Sequence, residues 1–370
     1  MLIEKPRIPI RSVLLYGLWP GFIKVLLYRL KGHRIGKGVS IGFGSVISGE
    51  QVEVGDHTSI GFLTIIRGKG ICLGSHVQIG SLTFLDTPYI EIGEDTKINE
   101  QVFVGGLQNP DSRFVVGRNC QIQQLTFINP AQSIVIGDDS GIGGHCLIFG
   151  HSSFHSQFEG YPVEFAPIEI GSRVGLGWRV FVLSGSKIGD GVKVGANSVV
   201  SGIIPPNSLA VGYPARIVGK APVFPKQVSD EEKVAMFRSI VTEMIRFFVG
   251  SGLGCQKNGD CYEISQPKGR WWKKSRPWRL LATDGDVREM LKDSPAIKLD
   301  VLLSLWEIPA DVRDSLSSRN ITWIDIAKKE QTRASNDLGD EVAAFLKRYG
   351  VRTGRYPRIA MTRFGSTQVQ

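Results

Sequence analysis

The 370 residues carry 44 Lys and Arg against 35 Asp and Glu, a net charge of +9, with 42% hydrophobic and 21% charged residues. That balance excludes a disordered chain and a protein built of membrane spans, and leaves ample apolar side chains for a core. The 44 Gly are about one residue in eight, against a usual share of about 7%, and imply repeated tight turns. Charge is uneven: +6 over residues 1–34, −4 over 35–219 and +7 over 220–370. A body of that sign is the opposite of one that grips nucleic acid, and no nucleic-acid partner is expected. Five Cys at irregular positions, with no signal peptide, predict free thiols in a reducing, cytoplasmic setting.

In chain order, residues 1–34 form a basic, apolar arm. The stretch 13–30 is apolar, with Tyr16, Trp19, Phe22 and Tyr28, and is flanked by Lys5, Arg7, Arg11, Arg29, Lys31 and Arg34. Pro20, Gly21 and Lys24 interrupt it, so no unbroken run reaches the roughly 20 residues of a bilayer span. Two readings stand together and do not exclude each other. One is a helix capping the open end of the domain C-terminal to it; the other is an interfacial anchor giving peripheral contact at the inner face of a membrane.

From residue 35 aliphatic residues recur every six positions, in triplets beginning Ile35/Ile41/Ile47 and Val54/Ile60/Ile66 and ending Ile188/Val194/Val200. Triplet starts are 19, 19, 19, 24, 20, 34 and 18 residues apart. Gly follows each first aliphatic residue, from Gly36, Gly55 and Gly74 to Gly171 and Gly189. A small or β-branched residue stands four places after the aliphatic, as at Ser45, Thr58, Thr64, Cys120, Cys146 and Ser198. A large inward residue, a turn and a small inward residue describe one side of a triangular coil, with Gly expected to supply unusual backbone angles at the corner. Helical spacing and hairpin alternation both fail to fit. Cys120 and Cys146 read as core filler. His57 and His76 occupy equivalent corners, with Asp95 next in line; they read as solvent-facing, and no metal is expected.

This period resembles the hexapeptide repeat of left-handed parallel β-helices, over about residues 35–205. The resemblance implies a mainly β protein, a left-handed parallel β-helix of about eight coils. At about 4.8 Å per coil the prism is roughly 38 Å long. Its hand comes from the resemblance, since the usual crossover preference is right-handed. The domains expected are the arm at 1–34, the β-helix at 35–217, and an extension at 218–370.

The 24- and 34-residue intervals mark extruded loops, and loops on a rigid scaffold tend to carry function. The second contains Gly150-His151-Ser152-Ser153-Phe154-His155. It resembles the Gly-His-Pro-x-His stretch of galactoside, maltose and polysaccharide O-acetyltransferases, with Ser152 for Pro and one extra residue before the second His. Ile170-Gly171-Ser172-Arg173-Val174-Gly175-Leu176-Gly177 resembles the family's Ile-Gly-x-x-Val-Trp-Ile-Gly, with Gly175 for Trp and Trp178 three places on. Gly212-Tyr213-Pro214-Ala215-Arg216 matches its Gly-x-Pro-Ala tail. β-helical carbonic anhydrases, which use three His and zinc, lack that loop and tail.

The resemblance implies an acyltransferase using acetyl-CoA, with no metal. His151 is the general base, since a hydroxyl is a poor nucleophile until an imidazole takes its proton. Its tautomer needs an acceptor on the other ring nitrogen, for which Glu159 and Glu164 are candidates. By position Gln123, His155 and Glu159 are assigned to the carbohydrate acceptor, Gln123 standing where sugar acetyltransferases often have Asn. Gly177, Trp178, Ala196, Ser201 and Arg216 are assigned to coenzyme A, with Arg216 suited to a phosphate. A homotrimer with the site between adjacent prisms is implied by the resemblance alone. The leading reading is O-acetylation of a sugar in polysaccharide or lipid-linked glycan assembly. N-acylation of an amino sugar and a non-catalytic scaffold or glycan-binding module are the alternatives.

Beyond about Val218 the period stops. Ser229-Asp230-Glu231-Glu232 reads as a helix start, with Val234, Phe237, Val241 and Ile245 at helical spacing. Strands at 299–305 and 321–326 and helices at 310–318 and 337–349 suggest a small α/β module. Between Lys268 and Arg279 lie six basic residues with Trp271, Trp272 and Trp278, a mixture that suits glycans or headgroups but also a solvated linker. Cys255 and Cys261 are expected as thiols.

Overall fold

The computed structural model describes residues 9–258, 261–266, 276–292 and 298–357, which fall into two compact units divided at 227/228. In the first unit, strands of two to five residues stack in parallel on their counterparts one repeat later. Ile35 pairs with Val54, Ile41 with Ile60 and Ile47 with Ile66. Three separate sheets of nine, ten and eight strands result. The ten-stranded sheet ends in Arg216–Lys220, antiparallel to Ser208–Val211. The aliphatic columns point inward and form one continuous core.

The small column has a specific task. Ser45 Oγ donates to the Gly61 carbonyl (2.5 Å), Thr58 Oγ1 to Gly74 (2.7 Å), Thr64 Oγ1 to Gly80 (2.8 Å) and Ser140 Oγ to Gly171 (2.9 Å). Each short hydroxyl thus satisfies a corner carbonyl in the next coil, which a buried corner otherwise leaves unpaired. Cys120 and Cys146 take the same role toward Gly137 (3.1 Å) and Gly177 (3.2 Å), and burial pushes the Cys146 thiol up to about 11.

The structure corrects the reading of the Gly column. Left-handed backbone at the first corner belongs to residues two places later: His57 (φ 56°), His76 (56°), Asp95 (59°) and Asn119 (54°). Gly55 has no such angle, but a Cβ there would lie 2.4 Å from Ser75 N and 2.6 Å from Gly74 C. The glycines are required by close approach of the next coil's backbone. At the next corner Leu63, Leu82 and Leu125 hold φ of 51–59°, a conformation that disfavours bulky side chains, and all three are exposed.

The arm covers the first coil. Gly21–Leu30 is an α-helix whose buried Lys24 ammonium donates to the Gly42 (2.7 Å) and Ser45 (3.0 Å) carbonyls. The Tyr28 hydroxyl accepts from Ile47 N (2.8 Å), and Gly44 N donates to the Gly17 carbonyl (2.8 Å). Polar groups of the open end are therefore closed by the chain itself.

The second unit holds a seven-stranded sheet in sequence order, in which Trp278–Thr283, Val301–Ser304 and Thr322–Asp325 are parallel. Helix Asp230–Gly250 begins with a capping box between Ser229 and Glu232. It packs with helix Asp337–Leu346 in one core, while Ala310–Ser318 contributes to another. The four elements expected between 299 and 349 form as strand, helix, strand and helix, and a further strand, Glu330–Thr332, which was not expected, precedes the last helix. Cys255 pairs with Ile264 and Cys261 with Asn258, so the two thiols are not cross-strand neighbours. Trp271 and Trp272 lie outside the described residues, and Trp278 packs half-buried against the core.

Candidate active site

Both extruded loops leave the third sheet and return to the first, so both open at one corner. The first joins Phe103–Val104 to Arg113–Val116 and the second joins Leu147–Phe149 to Ile168–Ile170. The intervening coil crosses the corner through residues 129–132 and anchors both. Asn109 Nδ2 and Ser112 Oγ donate to the Ala131 carbonyl at 3.0 and 3.1 Å, and Gly150 N donates to the Asn129 carbonyl at 3.0 Å. The parallel ladder sets this coincidence, because insertions at the same point of the repeat must emerge on the same edge.

The longer loop is a hairpin, with His151–Ser152 antiparallel to Glu164–Phe165. His151 sits at its root, its ring 6.1 Å from Phe149 and stacked on Phe165 at 5.9 Å. Phe149 ends a stacked row of Phe84, Phe103 and Phe127, spaced 4.9–5.3 Å, along the outer face of the third sheet. His151 Nδ1 is buried and has no hydrogen-bond partner, while the residue as a whole is partly exposed. Glu159 and Glu164 do not supply the expected acceptor. Glu159 is exposed in the 3-10 turn Gln157–Glu159, away from the root. Glu164 stands opposite Ser152 with its carboxylate beside Gly185. His155 is also at the tip, stacked on Tyr161 at 4.4 Å, next to the fully exposed Phe154 and Phe158.

Asn129 escaped the sequence reading. It is 5% exposed, and its Oδ1 is buried without a partner. Gly106 (φ 129°) comes so close that a Cβ there would be 2.5 Å from Asn129 Nδ2. Unpaired buried polar atoms are rare, and this corner holds two, Asn129 Oδ1 and His151 Nδ1, on adjacent coils. The available signal was an Asn-Pro pair at the turn between the two broken coils.

The other assigned residues lie mainly at the opposite end of the same face. Trp178 is half-exposed and lies over the turn of the preceding coil; a Cβ at Gly144 would be 2.8 Å from its Cη2 and Cζ3. Its ring is 5.8 Å from that of His145. Gly177 and Ala196 are stacked there, a Cβ on Gly177 falling 2.5 Å from Ala196 N. Gln123 belongs to this corner too, its Oε1 accepting from Asn99 Nδ2 at 2.7 Å; it is tied into the coil and not brought to His151. Ser201 is exposed just past Val199–Val200 on the third sheet, and Arg216 is exposed opposite Val211. Strand Leu147–Phe149, three residues or about 10 Å, separates the Trp178 corner from the His151 corner. His57 and His76 stack at 5.2 Å, and among the described residues no group of three His, Cys, Asp or Glu is placed to hold a metal ion.

A three-sided parallel coil with a six-residue period and an extruded His hairpin is the frame of the hexapeptide-repeat acetyltransferases, which this chain resembles. Over 113 residues it is 41% identical to WbbJ of Escherichia coli K12, provisionally named a lipopolysaccharide biosynthesis O-acetyl transferase, covering 28% of this chain and 58% of that one. Over 68 residues it is 48% identical to a provisionally named acetyltransferase of Staphylococcus aureus, covering 18% and 34%. The chain thus spans under three fifths of the length of these relatives. A crystal structure of a hexapeptide-repeat acetyltransferase from Vibrio cholerae aligns with 57% of this chain and 86% of its own, at 20% identity and a TM-score of 0.28. No family model matches.

Proposed function

We propose that this chain is an acyl-CoA-dependent O-acetyltransferase that acetylates a sugar hydroxyl in polysaccharide or lipid-linked glycan assembly. The observation that carries the reading is His151, partly exposed at the root of the hairpin and packed against Phe149 and Phe165. Nε2 takes the proton of the acceptor hydroxyl as its oxygen bonds to the thioester carbonyl carbon. The tetrahedral oxyanion is held by a backbone N–H. Collapse breaks the C–S bond, and the thiolate of coenzyme A leaves with the proton from the imidazolium. Trp178, Gly177 and Ala196, with Ser201 and Arg216, hold coenzyme A.

Base catalysis at Nε2 requires the proton on Nδ1, and among the described residues Nδ1 has no acceptor. In our reading the chain works as a homotrimer. An exposed apolar ridge of Phe43, Phe62, Leu63, Leu82, Leu125 and Trp178 supports such an assembly, since strained leucines facing water have no other evident use. The test is thiol release from acetyl-CoA with a panel of sugars and amino sugars, for wild type and His151→Ala. The expected result is a loss of about 10²–10⁴-fold with thermal unfolding unchanged. Retention of activity in the variant refutes the base, and no release with any acceptor points to a scaffold.

A further inference from the structure

The arm has an unusual polarity. Its inner side carries the buried Lys24 and Tyr28, locked to the first coil. Its outer side carries Leu14, Leu15, Leu18, Phe22, Leu26 and Leu30, each 56–76% exposed, with Trp19 at 48%. Residues 9–34 contain no acidic side chain, and Arg11, Arg29 and Lys31 are exposed beside the apolar set, while Arg34 is paired with Glu53 at 2.9 Å. A contiguous apolar face of this size on a soluble surface marks an interaction site.

We infer that this face docks on an anionic lipid surface, holding the prism end-on to the membrane. Charge decides between the occupants. A second copy placed face to face would set these cations against themselves, whereas anionic headgroups complement them. Aromatic and aliphatic side chains rimmed by Arg and Lys are the composition of an interfacial helix.

The arm lies on the membrane and does not cross it. Among the described residues no single helix is long and apolar enough for a span. The pair Ile10–Gly17 and Gly21–Leu30, which together have the length and composition, is bent by 117°. Straightening it would pull Lys24 from the Gly42 and Ser45 carbonyls and Tyr28 from Ile47. Ten residues of helix cover only about 15 Å of a hydrocarbon layer of about 30 Å.

The docking is independent of the chemistry, but it has a consequence for it. Five coil spacings separate the capped first coil from the coil that bears His151, about 24 Å. An acceptor carried on a lipid would therefore be met well above the headgroups.

Truncating the arm is the wrong test, since it uncaps the first coil. The experiment is flotation of the full-length protein with vesicles of phosphatidylcholine alone or with a quarter phosphatidylglycerol. Binding to the anionic vesicles is expected to be at least about tenfold tighter and to weaken with salt. L14E/F22E/L30E, which spares Lys24 and Tyr28, should lose binding at least about tenfold while keeping the wild-type unfolding temperature. Should that variant fold poorly, R11Q/K31Q should still lose the preference for anionic vesicles. Wild type that stays unbound with both vesicles, or variants that bind like wild type, overturns the inference. So does an oligomer that dissociates in L14E/F22E/L30E without any vesicle binding. Acetyl transfer is measured in parallel without lipid, so failure here is separable from failure of the catalytic reading.

Discussion

Gly55→Ala tests why glycine recurs after each first aliphatic residue. The added Cβ would stand 2.4 Å from Ser75 N, 2.6 Å from Gly74 C and 2.8 Å from Ser75 Cα, where ordinary contact begins at 3.4 Å. The obstacle is backbone and cannot rotate away, so the next coil must retreat by about 1 Å. The ladder bond from Gly55 N to the Leu73 carbonyl is 2.8 Å, and that retreat carries it out of hydrogen-bonding range. Overpacking costs about 1–3 kcal/mol and the lost bond about 1 kcal/mol, together about 2–4 kcal/mol. The measurement is the urea midpoint of the β-helical unit by far-ultraviolet circular dichroism, compared at constant slope. Gly55→Asn sharpens the test. Asn tolerates left-handed backbone, so it would rescue a position that needed such an angle, but it is larger than Ala and should be no better here. His57→Gly, at the true left-handed corner, should change stability by no more than about 1 kcal/mol, relieved strain offsetting lost chain stiffness. A Gly55→Asn protein more stable than Gly55→Ala by about 1 kcal/mol or more would refute the close-approach account.

Three other contacts give outcomes of their own. Gly144→Ala puts a methyl 2.8 Å from the Trp178 ring and should lift the indole off its seat; the expected result is a several-fold higher KM for acetyl-CoA with kcat little changed. Burial raises the Tyr28 phenol to about 12. Between pH 10 and 12 the unfolded chain therefore releases this proton while the folded chain keeps it, and stability falls by about 2–3 kcal/mol across that window. Tyr28→Phe should abolish that alkaline loss, seen as a flatter profile of unfolding midpoint against pH. In the second unit Arg313 donates to Asp325 (3.0 Å), Glu330 (2.8 Å) and the Ile308 carbonyl (2.7 Å), with Asp325 fully buried. Arg313→Met should cost that unit about 3–5 kcal/mol, and adding Asp325→Asn should recover part of it.

The six-residue spacing was sufficient to read a stacked parallel coil, the inward columns and the two places where the period breaks. These are local properties: side-chain size alternates with a fixed step, and a step that fails marks an insertion. Beyond 229 the three longer helices and the strands Val301–Ser304 and Thr322–Asp325 were legible in the same way, whereas strands Gly254–Asn258, Cys261–Ser265, Trp278–Thr283 and Glu330–Thr332 were not. The role of the Gly column was not. Whether a glycine serves an angle or a gap depends on what lies one coil away, and Ser75 reaches Gly55 only after stacking. His151 was legible as a motif, yet that its Nδ1 is unpaired, with Glu164 facing Ser152 instead, required the hairpin register. That Gln123 accepts from Asn99 likewise became visible only once the coils were stacked.

Sequence alone therefore determined the repeat, the inward columns and the two insertions, because periodicity is carried by each segment independently of its neighbours. Only the tertiary structure decided that both insertions open at one corner, that Asn129 and His151 leave buried polar atoms unpaired there, and that Lys24 turns inward while Phe22 faces out. Each of these depends on residues a full coil or more apart in the chain coming into contact, a relation that coil-to-coil register creates and no local pattern encodes.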